Sequence, residues 1–186
     1  MIYDIIFVNE GRIKMKIFMI RHGVPDYSYG DSHGFIGHGN DLAPLDMEKI
    51  DDVIKTSKDS RLKEAEMIIS SPYTRALQTA AIISKEIGID IIVEPDLREW
   101  EPDLSYQYTG NDLRDISKDF FNNKGIRPID RDVMWESKEE VKNRINSVIN
   151  KYKNYKCVIF VFHQIAMQSV LGDNKIKPAE IVEYEI

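Results

Sequence analysis

The chain has 186 residues with a formal net charge of -6, and 42% of them are hydrophobic and 30% charged. Such a length suits one ordinary domain that buries roughly 70% of its unfolded surface, and such a composition excludes disordered and fibrous classes. The acidic balance, with no basic tract, argues against nucleic acid as a partner; no run approaches the ~20 apolar residues of a membrane span.

Residues 1–14 read either as an extra edge strand over Ile2–Val8, closed by a turn at Asn9-Glu10-Gly11, or as an extension ahead of a start at Met15. Their longest apolar run, Ile5–Val8, is too short for a secretory signal core. After Lys16, the four residues Ile17–Ile20 are a short apolar run that ends in Arg21-His22-Gly23. It reads as a strand buried on both faces, as parallel sheets require. From Val24 to Pro44 the chain is rich in turn residues, with Gly30, Gly34, Gly37 and Gly39. A loop of this length in a compact domain is usually functional.

Met47, Ile50, Val53 and Ile54 recur at helical spacing. Glu66–Ser70 reads as a strand, with Ser71-Pro72 as the N-cap and first-turn proline of a helix. That helix buries Ala76, Ala80, Ile83 and Ile87 and stops at Gly88. Ile91–Val93 is a third strand, halted by Pro95. From Asp96 to Trp135 the periodicity fades and aromatic residues are frequent, which suggests a partly helical cover over one end of the sheet. Ser137 and Glu140 form a capping box that opens a helix with the stripe Val141, Ile145, Val148 and Tyr152. Cys157–Phe162 is a strongly apolar strand, and Ile165–Leu171 a short helix stopped by Gly172. Ala179–Ile186 reads as a last strand. Cys157 is the sole cysteine, so no internal disulfide forms and a reducing, cytoplasmic setting is expected. Opening an apolar strand, it reads as a buried small hydrophobe.

Strands alternating with helices predict an α/β fold with a sheet covered on both faces, as one domain over residues 1–186. Ligands bind beyond the carboxyl ends of parallel strands. Arg21 and His22 close the first strand, Ser70, Ser71 and Arg75 follow the second, Glu99 follows the third, and His163 closes the fourth. If the strands are parallel, these groups converge. Two arginines and two histidines suit the oxygens of a phosphate monoester, and the first turn of the Arg75 helix adds a positive dipole end. An imidazole can take the phosphoryl group covalently. A carboxylic acid can protonate the leaving alkoxide and then deprotonate water. This chemistry requires no metal or cofactor. His33 and His38, with Asp31 and Asp41, are the alternative metal reading, but their spacing fits no standard ligand pattern.

Ile20-Arg21-His22-Gly23, Ser70-Ser71-Pro72-Tyr73-Thr74-Arg75-Ala76-Leu77-Gln78-Thr79-Ala80, Leu97-Arg98-Glu99 and Val161-Phe162-His163 occur in the order and spacing of a known family. Over residues 15–172 the chain resembles the histidine phosphatase superfamily, phosphoglycerate-mutase-like branch. The resemblance implies a three-layer α/β/α sandwich with a mainly parallel sheet. It implies His22 as the phosphorylated nucleophile, Arg21, Arg75 and His163 as phosphoryl binders, and Glu99 as proton donor. Asn40 and Gln164 are further candidates for substrate contact. Two positions depart from the family pattern: Val24 stands after the Arg-His-Gly corner, and Gln164 stands where glycine is usual after His163.

The expected activity is that of a metal-independent phosphomonoesterase acting on a small phosphorylated metabolite. A mutase is the weaker alternative for so short a chain. A phospho-ligand binding module with weakened turnover is the other, motivated by Val24 and Gln164. Arg127 and Arg131 are candidates to grip a second anionic group on the substrate. A monomer or a homodimer is equally compatible with the sequence.

Overall fold

The computed structural model describes residues 14–35, 37–107 and 113–186; the edge strand expected over Ile2–Val8 lies outside them. Among the described residues five strands form one sheet in the order β3-β2-β4-β1-β5. They are β1 (Lys16–Arg21), β2 (Met67–Ser70), β3 (Ile91–Val93), β4 (Cys157–Phe162) and β5 (Ile181–Glu185). β1, β2, β3 and β4 are mutually parallel, and β5 closes the β1 edge antiparallel. The chain leaves β1, builds β2 and β3 outward, and returns with β4 to fill the place between β2 and β1. That reversal is where an open parallel sheet leaves its crevice.

The alternation of side chains across a strand divides the core into two layers. Ile17 and Met19 of β1, with Val158, Phe160 and Phe162 of β4, pack on one face against α5 (Lys138–Lys151) and α6 (Gln164–Leu171). Phe18 and Ile20, with Ile159 and Val161, pack on the other against Ala76, Ala80 and Ile83 of α3 (Thr74–Ile87). All six β4 residues are buried. Each large apolar side chain buried there contributes about 1.5–3 kcal/mol, so this strand anchors both layers of the sandwich.

The remaining helices are α1 (Ser28–His33), α2 (Asp51–Ser57) and α4 (Leu113–Asn122). The stripe expected from Met47 onward is only partly helical. Met47–Lys49 is a 3-10 turn, α2 starts at Asp51, and of the stripe only Val53 is deeply buried, whereas Met47 is exposed. Asp46 accepts the Glu48 N–H and so caps the 3-10 turn. The expected N-cap at Ser71 is also displaced: α3 begins at Thr74 after Tyr73, and no side chain caps it. The capping box at Ser137 and Glu140 forms as expected at the start of α5.

Candidate active site

The strand register builds the centre of the site. Arg21 stands opposite Phe162, so the next residues, His22 and His163, are neighbours at the carboxyl ends of β1 and β4. The His22 N–H donates to the Phe162 carbonyl at 3.0 Å, and the Ser71 N–H to the Val161 carbonyl at 2.9 Å. The two imidazole rings lie with centroids 5.0 Å apart. Ladder hydrogen bonds alone therefore bring together residues separated by about 140 positions of chain.

His22 is buried, and its Nδ1 lies 2.6 Å from the Gly23 carbonyl. A carbonyl can only accept, so Nδ1 carries the proton and Nε2 keeps its lone pair. Arg75 Nε donates toward that Nε2 at 3.3 Å. Burial, with the Arg75 guanidinium beside it, pushes the His22 pKa down to about 3. The ring is thus neutral at physiological pH, the state a nitrogen nucleophile needs.

Arg75 is held at several points. Its Nη1 donates to the Asn40 carbonyl at 2.9 Å, and its guanidinium lies over the Tyr73 ring at 5.1 Å. One turn later, Thr79 Oγ1 donates to the Arg75 carbonyl at 2.8 Å and accepts the Gly23 N–H at 3.1 Å. Gln78 Oε1 accepts the Leu45 N–H at 2.6 Å. The Gln-Thr pair of the sequence block thus fastens α3 to the turn after β1 and to the Leu45 end of the segment before α2. Gly23 is required by packing: a Cβ there would stand 2.4 Å from Val53 Cγ2.

Ser71 Oγ meets His163 Nε2 at 2.7 Å and accepts the Tyr73 N–H at 3.3 Å. The serine therefore orients the second histidine instead of capping α3. His163 is fully buried, and burial first, then His22 and Arg75, hold its pKa well below the usual value. Arg21 Nη1 donates to the Ile176 carbonyl at 2.6 Å. Arg21 Nε and His163 Nδ1 are buried with no hydrogen-bond partner among the described residues. At the centre of a cationic cluster such groups suit an oxyanion.

Glu99 reaches the same centre from the loop after β3. Its Oε1 accepts the N–H groups of Trp100 and Ala166, both at 3.0 Å, and its Oε2 that of Ile165 at 3.3 Å. The carboxyl is thereby moored to the first turn of α6, directly after His163. A cleft of about 850 Å³ opens beside Arg75 and Glu99. The segment before α2 and the start of α3 contribute Asn40, Asp41 and Tyr73 to it; the 99–102 loop and α4 contribute Glu101, Arg114, Lys118 and Phe121.

The structure brings Arg21, His22, Arg75, Glu99 and His163 together at the strand ends, and the other residues named from the sequence divide. Asn40 lines the cleft and holds Arg75 through its carbonyl. Gln164, half-buried, is the first residue of α6. Val24 lines a separate groove with Thr56 and Ala179. Arg127 and Arg131 do not form an anion grip: Arg127 pairs with Glu140 and the Trp135 carbonyl, and Arg131 with Asp119. Beside Arg75 the cleft carries two cations that the sequence did not single out, Arg114 and Lys118, the latter ion-paired with Asp115 at 2.8 Å. Their signal was a short one: the stripe Leu113, Ile116 and Phe120 marks an amphipathic helix on which they are the polar residues. His33 is exposed and stacks on Tyr29 at 4.1 Å; the His38 side chain lies outside the described residues. Among the described residues no three His, Cys, Asp or Glu side chains gather as a metal site. The Cys157 thiol is buried and pushed up to about 11, the state of an inert core residue.

Comparison with known proteins agrees with this geometry. A model of the histidine phosphatase superfamily (branch 1) matches residues 17–183. A protein of Hydrogenobacter thermophilus named "Putative phosphoserine phosphatase 2" is 26% identical over 164 residues, 84% of this chain and 76% of that protein. A mycobacterial glucosyl-3-phosphoglycerate phosphatase has the same fold, with a TM-score of 0.67 at 17% identity over 91% of this chain and 89% of that one. So does a phosphoglycerate mutase from Bacillus anthracis, with a TM-score of 0.68 at 15% identity over 93% of this chain and 88% of that one. With its paired strand-end histidines and a family match that runs from β1 into β5, the chain belongs to the histidine phosphatase superfamily, branch 1.

Proposed function

We propose that this phosphatase hydrolyses a small phosphorylated metabolite through a phosphohistidine on His22, without a metal. The observation that carries the reading is the Gly23 carbonyl 2.6 Å from His22 Nδ1, which leaves Nε2 as the unprotonated nitrogen in a ring of cationic donors. Nε2 attacks phosphorus, and the bond from phosphorus to the ester oxygen breaks in line. Glu99 gives its proton to the departing alkoxide. Arg21, Arg75 and His163 hold the phosphoryl oxygens. Arg75 Nε, which donates to Nε2 before the reaction, turns its N–H to a phosphoryl oxygen and frees the lone pair. Water then attacks phosphorus and passes a proton to the Glu99 carboxylate. The phosphorus–nitrogen bond breaks, and His22 returns neutral.

Substrate choice belongs to the cleft, which mixes the acids Asp41 and Glu101 with the bases Arg114 and Lys118. The relative named for phosphoserine supports placing phosphoserine first in a substrate panel. The test is phosphate release from that panel and from nitrophenyl phosphate with excess chelator, for wild type and His22→Ala. Chelator-resistant release that vanishes in the variant, with labelled phosphate trapped on wild-type protein during turnover, is the expected result. Release that persists in His22→Ala sinks the mechanism.

A further inference from the structure

The Arg144 side chain of α5, 9% exposed, lies against the loop that carries Glu99, and each of its five guanidinium N–H groups has an acceptor. Nε and Nη2 form a bidentate pair with the Glu136 carboxylate at 2.6 and 2.8 Å. Nη1 donates to the carbonyls of Asp96 and Arg98 at 2.7 and 2.8 Å, and Nη2 to that of Glu99 at 3.0 Å. Glu136 takes hold of the same loop from its other side. Its Oε2 accepts the Glu101 N–H at 3.2 Å, its carbonyl accepts Trp100 Nε1 at 2.7 Å, and its own N–H donates to the Glu101 carbonyl at 2.8 Å.

We infer that Arg144, locked to Glu136, is a positioning residue for the proton donor: it fixes the backbone of residues 96–101 so that the Glu99 carboxyl meets the leaving oxygen. The inference rests on the role proposed for Glu99. Residues 98–101 follow a 3-10 turn and belong to no helix or strand, so no ladder satisfies their carbonyls or fixes their path. The guanidinium does both. A buried ion pair adds little stability over apolar packing of the same volume, whereas five directed bonds from a planar fork impose geometry. The division of labour is visible in Glu99 itself. Arg144 holds its carbonyl, and the first turn of α6 holds its carboxylate. Both ends of the residue are thereby fixed relative to His163.

The test compares leaving groups. Arg144→Lys keeps a cation opposite Glu136, so no buried charge is left unpaired, but an ammonium cannot span the acceptors on both sides of the loop. Turnover of an alkyl phosphate is expected to fall about 10²-fold, the scale of an ångström-level misplacement, while dinitrophenyl phosphate, which leaves without a proton, changes by less than about threefold. In a Glu99→Gln background the same substitution is expected to add no further loss on the alkyl ester. A uniform loss across leaving groups, full activity on the alkyl ester, or an additive loss in the Glu99→Gln background overturns the positioning role. If Glu99→Gln alone shows no leaving-group selectivity, the acid role itself falls and takes this inference with it.

Discussion

Two regions of the molecule meet at Arg75 and are built on different physical terms. At the strand ends, His22, His163, Ser71 and Arg75 are buried, and backbone ladders and short side-chain bonds fix each of them. Across the cleft, α4 offers Arg114, Lys118 and Phe121 on an amphipathic helix with only Phe120 deeply buried. The first region can fix a reaction, because its geometry follows from the sheet register. The second can vary its side chains without disturbing the core. The loop from Glu99 to Pro102 touches both regions, and Arg144 holds it.

The sharpest way to break this division is at the proposed nucleophile. His22→Ala is expected to lower turnover by at least ~10⁴-fold on every ester, as loss of a covalent nucleophile does. Glu99→Gln comes next, with a loss of about 10²–10⁴-fold on alkyl phosphates and far less on nitrophenyl phosphate. If Glu101→Gln gives that selective loss instead, the acid belongs two residues on, in the same cleft. Replacement of Arg114 or Lys118 by alanine sharpens the comparison from the other side. Each is expected to raise KM roughly 3–10-fold for the preferred metabolite, as rim charges do, and to leave nitrophenyl phosphate unchanged. A fall in kcat on all esters would place α4 in the chemistry after all.

The same division explains what the sequence could disclose. Apolar runs and the polar residues that end them placed Arg21, His22 and His163 correctly, because strand ends are local events. The block from Ser70 to Ala80 placed Arg75, although Ser71 caps no helix and Gln78 and Thr79 proved to be fasteners. Long-range pairing was less legible. Arg127 and Arg131 looked available for substrate until Glu140 and Asp119 claimed them. Arg144 did carry a signal, since it stands between Val141 and Val148 on the buried stripe of α5. A cation on an apolar seam asks for a partner, but only the fold shows that Glu136 and the Glu99 loop supply it.

The smallest effect is thermodynamic and bears on the strand-end region alone. Both buried histidines have folded pKa values below the unfolded value near 6.5, His22 at about 3 and His163 well below 6.5. Burial is the first cause for both; Arg75 and Arg21 add to it for His22, and His22, Arg75, Arg144 and Arg21 for His163. As pH falls through 6.5 the unfolded chain binds protons that the folded chain refuses. The stability is therefore complete above that value and is lost toward acid. Each such histidine contributes a slope of up to about 1.4 kcal/mol per pH unit. Between pH 6 and 5, above the range in which carboxylates titrate, the two together are expected to cost about 2 kcal/mol. Urea unfolding at the two pH values measures the loss, and His22→Ala should remove about half of it. An unchanged slope in that variant would mean that His22 is protonated as readily in the folded chain as in the unfolded one. Burial and the Arg75 guanidinium would then not be what keeps Nε2 neutral, and its neutrality at physiological pH would rest on the ordinary imidazole pKa near 6.5 alone.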